Sequence, residues 1–303
     1  VFVGNRHKTV WHWIYQENPD SSVSMVCLTP EGKVAAHFGA SFHSAIIDGK
    51  KVKIGQCRDA FSHPKFRLVI RNQTGLFAKT AQLLFSQFGL AEGVSFYYGF
   101  PSPRHLRLGR QQLGYIEGHQ WAHFFYNIQK KLSHISHSYG YLSTVHQFDA
   151  AFDRLWSHRA TQVKSAVIHD SQFLAWRFHR HSGRNYWVWT FTPYLSEELT
   201  GYVVFLQHGH TALLLDFHFP RHSGACLDFW NQIVEKLSWN SMTTIKTWLS
   251  NNHPDLIHLR HFGFMQQPLP KDTRFCCHVF DGGPDSNSLT TDFCFTMSDS
   301  DLY

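Results

Sequence analysis

Residue types that bind phosphate lie close together around Gly75, which opens a helix-like stretch of the chain. The N-terminus of a helix carries unpaired backbone N–H groups and a partial positive charge, and a glycine there lets a pyrophosphate approach closely. Arg67 and Arg71 precede the glycine, and a guanidinium fork matches the oxygens of a phosphate group. This spacing predicts an anion site; the alternative is a glycine that caps a loop beside solvated arginines.

The segments around Gly75 follow an order that could hold such a site. Turn signals at Pro30–Gly32 and Asp48–Gly49 divide the preceding region into strand-like runs, and we predict that these strands are antiparallel. The residues after Gly75 have the spacing of an amphipathic helix. The predicted elements are three strands within 24–61, a helix over 75–88, a strand over 94–100 and a helix over 104–113.

The second half of the chain repeats this order. Strand-like segments over 185–193, 201–208 and 211–219 precede a helical period over 224–237 and a strand-like segment over 242–249. Residues 127–145 are rich in Ser, His and Tyr with little periodicity, so we predict a linker there. A length of 303 residues exceeds one ordinary domain of roughly 100–200 residues. The sequence therefore predicts two copies of one α/β domain, residues 1–146 and 147–303.

Short motifs in both halves resemble the GNAT superfamily of acyl-CoA-dependent N-acyltransferases, specifically its tandem-domain members. In the first half these are HPKFR at 63–67, GLF at 75–77, YYGFP at 97–101 and LGY at 113–115. In the second half they are WRF at 176–178, LLLDF at 213–217, RHSGAC at 221–226 and FGF at 262–264. The resemblance implies an α/β (α+β) fold of two tandem GNAT-like domains, each a mixed, mainly antiparallel sheet flanked by helices.

The resemblance also implies an acyl-CoA site in the first domain. In that family the helix that starts after the fourth strand binds the pyrophosphate, and the Tyr-Gly-Phe-Pro strand end lies beside the pantetheine. The residues expected to bind the acyl-CoA are Phe61, Arg67, Arg71, Asn72, Thr74, Gly75, Leu76 and Phe77.

The phosphate loop departs from the family pattern of Gln or Arg, two residues, Gly, one residue, then Gly or Ala. The first copy, residues 72–77, begins with Asn72 and ends with Phe77; the second, residues 221–226, fails only at Cys226. We favour the first copy as the donor site because HPKFR and YYGFP accompany it. The second copy is then expected to shape the acceptor site.

The family's chemistry is direct attack of an amine on the thioester, which needs a proton acceptor and a group that protonates the leaving thiolate. Many members use a tyrosine for the second task, but Arg110 and Leu259 stand at that position in the two copies. Tyr98 or Tyr97 could replace it, and Asp59 could act as the base. Each also has a structural alternative: tyrosines of an aromatic strand are usually core residues, and Asp59 could pair with Arg58 or cap a turn.

Composition excludes several other classes of protein. No apolar run approaches the roughly 18–20 residues needed to span a bilayer, and no export signal is visible, so we expect a cytoplasmic protein without a membrane span. The six cysteines form no C-x-x-C pair, and the His208-Gly209-His210 region matches no common zinc motif; no metal is expected. The net charge is +6, but the lysines and arginines are scattered along the sequence, which argues against nucleic acid as a partner.

These observations favour an enzyme that moves an acetyl or longer acyl group from coenzyme A to a small-molecule amine, for example an amino sugar. Two alternatives stay open: a non-catalytic acyl-CoA-binding or scaffolding protein, and a transferase of the same fold that uses an aminoacyl-tRNA donor.

Overall fold

The computed structural model describes residues 8–66, 75–118, 121–128, 138–179, 183–268, 274–300 and 302. In chain order the helices and strands are α1 (Lys8–Tyr15), β1 (Ser22–Leu28), β2 (Val34–Ile47), β3 (Lys50–Ser62), α2 (Leu76–Gln87), β4 (Val94–Gly99), α3 (Pro103–Gln112), β5 (Tyr115–Gly118), β6 (Trp121–Asn127), β7 (Gly140–Thr144), α4 (Ala150–Ala160), β8 (Ser165–Val167), α5 (Ser171–Leu174), β9 (Tyr186–Pro193), β10 (Gly201–His208), β11 (Thr211–His218), α6 (Ser223–Trp239), β12 (Thr244–Ser250), α7 (Leu256–His261), β13 (Met265–Gln267), β14 (Phe275–Val279), α8 (Ser286–Asp292) and β15 (Phe293–Cys294).

The chain forms two compact units whose segments alternate along the sequence. The first unit contains Val1–Gln120, Ser165–Val167 and Pro270–Phe293. The second contains Trp121–Lys164, Ile168–Leu269 and Cys294–Tyr303. The functional domains predicted as 1–146 and 147–303 stay a prediction; the units defined by contacts exchange short segments instead of dividing the chain at one point.

The first unit is built on an eight-stranded sheet in the order β15-β8-β2-β3-β4-β14-β5, with β1 also paired to β2. The predicted antiparallel strands β1, β2 and β3 are confirmed. Asp48 and Gly49, both with positive φ, form the two-residue turn between β2 and β3, as the sequence indicated. Strand β4 returns parallel to β3 after α2. Helices α2 and α3 pack on one face of this sheet through Phe38, Leu84 and Leu106.

The second unit repeats this plan on a seven-stranded sheet in the order β13-β6-β12-β11-β10-β9-β7. Strands β9, β10 and β11 are antiparallel, α6 follows, and β12 returns parallel to β11. Its core contains Phe205, Leu214, Phe229 and Ile233, each fully buried. The predicted repeat of one α/β arrangement is therefore present in both units.

The predicted linker over 127–145 is wrong for its last residues, since β7 is an edge strand paired with β9. Side chains of α6 hold the free edge of β7: Asp228 accepts hydrogen bonds from the N–H groups of Tyr139 and Gly140, and Gln232 accepts one from Leu142. These bonds join residues about ninety positions apart, so local periodicity could not indicate the strand.

Candidate functional site

A split between β3 and β4 opens the sheet of the first unit. Their parallel pairing ends at Gln56 opposite Tyr98, while β3 continues to Ser62 along β2. The β2–β3 register shifts beyond Arg58, and Asp59 has a φ of 50°, so one extra residue bulges out of β3. The bulge lies in the stretch of β3 that continues beyond its last pair with β4, which itself ends one residue later at Gly99; we call this end of the β3–β4 pairing the split.

Helix α2 begins at the same end of the sheet. A crossover from β3 to the parallel strand β4 must start where β3 ends, so the N-terminus of α2 lies towards the open end of the split. Gly75 is its N-cap; among the described residues no side chain hydrogen-bonds to this cap, and none lies within 4 Å of a Cβ placed at this position. The first N–H groups of a helix have no partner within the helix and can bind an anion. The anion site predicted at this glycine stays a prediction.

The other residues predicted to bind acyl-CoA are only partly described. Arg67, Arg71, Asn72 and Thr74 lie outside the described residues. Leu76 is the first residue of α2, and Phe77 packs edge-on against Phe38 and His105. Phe61 is exposed and stacks on His37, on the stretch of β3 beyond the last pair with β4. Their assignment to a cofactor site stays a prediction.

The predicted catalytic tyrosines lie on opposite faces of β4, as adjacent strand residues must. The Tyr97 hydroxyl donates to the Phe88 carbonyl oxygen at 2.7 Å, and burial, with the nearby Cys57 thiol, raises the pKa of Tyr97. Tyr98 packs among Phe100, Phe275 and Phe293 on the other face. Both side chains are almost fully buried. Their role in proton transfer stays a prediction.

Asp59 is half-buried at the bulge, and two side chains that the sequence analysis did not identify hold it. Tyr15 of α1 donates its hydroxyl to Asp59 Oδ2 at 3.1 Å, and His37 of β2 donates Nδ1–H to the Asp59 carbonyl oxygen at 2.8 Å. The predicted alternatives, a pair with Arg58 or a turn cap, stay predictions. The local sequence contains no signal for these partners, because they are 44 and 22 residues from Asp59.

The two positions at which the resemblance implies a tyrosine hold one exposed and one buried side chain. Arg110 is exposed on α3 and forms an ion pair of 3.5 Å with Glu117. Leu259 is fully buried in the core of the second unit.

The second unit contains an equivalent split, but the chain itself fills it. Pairing between β11 and β12 ends at Leu213 opposite Lys246, and the register of β11 shifts at the following residues, as in β3. Thr247 donates its hydroxyl to the Leu214 carbonyl oxygen across this gap at 2.8 Å. Thr296 pairs with Leu249 of β12. Because β6 covers the other edge of β12, the segment around Thr296 must lie on the edge that faces β11.

The N-terminus of α6, the counterpart of α2, is also covered. The His222 side chain caps it by accepting a hydrogen bond from the Ala225 N–H at 3.3 Å. A Cβ at Gly224 would overlap the ring of Tyr139, which therefore lies against the helix start. Where α2 leaves its first N–H groups open, α6 uses the chain's own side chains.

Buried charges fix the filled split of the second unit. His169 lies between the carboxylates of Asp216, at the end of β11, and Asp299, at 3.0 and 2.9 Å. Burial alone would lower the pKa of His169, but the two carboxylates outweigh it and raise the pKa to about 10. Arg177, in the WRF motif, donates to the carbonyl oxygens of Ser298 and Ser300. The segment that fills the split is thus tied by an ion pair and by backbone hydrogen bonds.

A cavity of about 460 Å³ in the first unit lies at the C-terminal ends of α2 and α3, lined by Phe85, Leu113, His278 and Phe280 among others. The α2 residues that line it, Gln82, Phe85 and Ser86, lie about 10–17 Å along the helix from Gly75. It is separate from the split.

The described part of the chain contains no group of three or more His, Cys, Asp or Glu that could hold a metal ion. None of its helices is both long and apolar enough to cross a bilayer.

Known proteins resemble this chain in structure and not in sequence. No protein-family model and no curated protein matches the sequence. A GCN5-related N-acetyltransferase from Anabaena variabilis matches the structure with a TM-score of 0.68 at 14% identity, over 91% of this chain and 66% of that one. One from Kribbella flavida matches with a TM-score of 0.60 at 15% identity, over 82% and 58%. Saccharomyces cerevisiae N-myristoyltransferase with bound myristoyl-CoA matches with a TM-score of 0.57 at 10% identity, over 93% and 78%.

The likeness shows the fold: the chain has the GNAT fold, with two mixed sheets flanked by helices. The chain spans less than two thirds of the length of the two N-acetyltransferase structures. The fold expected from the short motifs is confirmed.

Proposed function

We propose that the protein is an acyl-CoA-dependent N-acyltransferase whose donor site is the split of the first unit. The observation that carries this proposal is the contrast between the two units. In the first, no side chain of the described residues covers the start of α2 at Gly75; in the second, the equivalent split and helix start are filled by Thr296, His222 and Tyr139. The structural neighbours, which include enzymes that bind acyl-CoA, support the same reaction class.

The coenzyme A thioester is a substrate, and this chain would bind its pyrophosphate through the first N–H groups of α2. That site fits an anion, because the open N–H groups, the positive helix end and the absence of a side chain at Gly75 favour close approach. Arg67, Arg71, Asn72 and Thr74 precede the helix in sequence and are proposed to contribute further contacts. Acetyl-CoA and a longer acyl-CoA are both compatible with this proposal.

Asp59 is the proposed base, since it is half-buried on β3 beyond the last pair with β4. Tyr98 and Tyr97 stay the proposed groups for protonating the thiolate. Tyr97 would have to release its hydrogen bond to Phe88 before it could do so.

A non-catalytic acyl-CoA-binding protein is the second candidate, and the observation that favours it is the loss of the family tyrosine at Arg110 and Leu259. Measuring whether the thioester is consumed distinguishes the transferase from the non-catalytic binding protein. Purified protein is mixed with acetyl-CoA and a panel of amines, and the free coenzyme A thiol is measured with a thiol reagent while the product is weighed by mass spectrometry. Thiol release that depends on the amine supports the transferase; binding of acetyl-CoA without release supports the second candidate.

A further inference from the structure

A row of aromatic side chains on the first unit flanks Asp59. Trp11 and Tyr15 lie one helical turn apart on α1, with ring centroids 5.4 Å apart. Tyr15 meets His37 edge-on at 6.1 Å, and His37 stacks on Phe61 at 5.6 Å with an interplanar angle of 12°. The rings therefore form one continuous row from α1 across β2 to β3, with the carboxylate of Asp59 beside its centre.

The contact between Tyr15 and Asp59 requires a glycine at position 39. A Cβ at residue 39 would overlap the Tyr15 hydroxyl, so a glycine is needed for the phenol to reach Asp59 Oδ2. The Asp59 backbone has a φ of 50°, which costs free energy in a residue other than glycine and which the His37 hydrogen bond to its carbonyl helps to hold. Three elements thus fix the position of one half-buried carboxylate.

The row lies on the face of the sheet opposite α2. Phe38 and Ala40 of β2 pack in the core under α2, and the alternation of a strand sends the intervening Gly39 and the preceding His37 to the other face. A thioester bound at the start of α2 would approach the split from one face. The aromatic row lies on the other face, beside the stretch of β3 that continues beyond its last pair with β4.

The chemistry of the row favours a cation next to a flat apolar group. Trp11 and Phe61, at its two ends, are 43% and 36% exposed, so a ligand can reach them. Aromatic faces attract ammonium groups, and a carboxylate at the centre adds an opposite charge. Resting on the function proposed above, we propose that this row is the acceptor site and that it takes a protonated primary amine attached to an aromatic or apolar group.

The proposed acyl transfer can be written so that every proton and every bond is accounted for. The ammonium gives one proton to the Asp59 carboxylate, and the free amine attacks the thioester carbonyl; the C–N bond forms and the C–S bond breaks. The second proton of the nitrogen passes to the departing thiolate, which leaves as coenzyme A. Asp59 then releases its proton to solvent. Tyr15 and His37 are positioning residues, because they contact Asp59.

Binding of 2-phenylethylamine to the full chain, measured by calorimetry, tests the proposed class of acceptor. The proposal expects it to bind about tenfold more tightly than the neutral 2-phenylethanol and than glucosamine, which has the charge without the aromatic group. Asp59→Asn should remove the preference for the amine, and Phe61→Leu should weaken its binding. Tyr194→Leu, which removes an exposed aromatic ring of the second unit, is the matched control and should leave binding unchanged. Equal binding of 2-phenylethanol, or a preference for glucosamine, would overturn the proposal.

Kinetics test the two positioning residues. Tyr15→Phe should lower kcat for acetylation of 2-phenylethylamine about tenfold while the KM for acetyl-CoA stays the same, and Gly39→Ala should reproduce this effect. His37→Asn, which can keep a donor for the Asp59 carbonyl, should be more active than His37→Leu. Unchanged kcat in Tyr15→Phe, or equal activity of the two His37 variants, would contradict the assignment. If the chain fails to bind acetyl-CoA at all, the proposed transferase fails, whereas the amine preference is read from binding alone.

Discussion

The contribution of a charged residue to the free energy of unfolding depends on how deeply its ion pair is buried, and this protein contains a buried pair and an exposed one. Arg159 and Asp255 form an ion pair in the second unit in which both side chains are less than a tenth exposed. Burial lowers the pKa of the nearby His218 and His253 to about 4 and about 3, so these imidazoles are neutral at pH 7 and do not replace the charge of Arg159. The pair between Arg110 and Glu117 is largely exposed on its arginine side.

Asp255→Asn should therefore destabilise the protein by about 3–5 kcal/mol, because it leaves the Arg159 guanidinium buried beside a neutral group. Arg110→Ala should change the free energy of unfolding by less than about 1 kcal/mol, since exposed pairs contribute little. Urea unfolding of both variants, followed by circular dichroism, measures the difference. Equal losses in the two variants would contradict this account.

His169 predicts how stability depends on pH. Its folded-state pKa of about 10 lies above the ordinary value of 6.5, so the imidazolium stabilises the fold fully below pH 6.5, and this contribution is lost as the pH rises through 10. Asp216 has a lowered pKa, mainly because His169 outweighs its burial, and loses its contribution at acidic pH. We expect the free energy of unfolding to fall between pH 7 and 10.

In His169→Gln that decline should be much shallower, and in His146→Gln, which changes an exposed histidine, it should match the original chain. Urea titrations at a series of pH values test this. A decline that is the same in all three proteins would show that His169 is not the charged group we describe.

At the scale of single elements, strand β7 depends on side chains of α6. Asp228→Ala removes the acceptor of the Tyr139 and Gly140 N–H groups and should cost about 1–3 kcal/mol. Hydrogen exchange should show lost protection in β7 while β10 and β11 stay protected. Leu227→Ala, at an exposed position of the same helix, is the control. Unchanged protection in β7 of the Asp228 variant would contradict this role.

The elements that the sequence predicted are those with strong local patterns. Neighbouring residues are enough to indicate the turn at Asp48–Gly49, the amphipathic helix α2 and the buried strands β10 and β11. Strands β7 and β14 are defined by partners far along the chain: β14 enters between β4 and β5. Pairing of that kind leaves no periodic signal.

The candidate site was predictable in part for the same reason. Gly75 and Asp59 could be chosen from motif order and residue chemistry. Tyr15, His37 and Gly39 could not, because what they do depends on the bulge at Asp59 and on the packing of α1 against the sheet. The filling of the second split by the segment around Thr296 likewise has no local signal.

For the whole molecule, the two units differ in their described residues: no described side chain covers the start of α2, whereas side chains of the chain cover the start of α6 and the split of the second unit. Gly75 and Ser223 allow a matched comparison. A glutamate at residue 75 has open space and a φ of −63°, and Ser223 is exposed in the first turn of α6, so neither Gly75→Glu nor Ser223→Glu creates a clash in the backbone. Each places one carboxylate at one helix start.

Calorimetric titration of the original chain and these two variants with acetyl-CoA and a longer acyl-CoA tests the central claim most directly. We expect the original chain and Ser223→Glu to bind with equal affinity, and Gly75→Glu to bind at least about tenfold more weakly, because its carboxylate repels the pyrophosphate. Loss of binding in Ser223→Glu alone, or no binding of either thioester to the original chain, would contradict a donor site in the first unit.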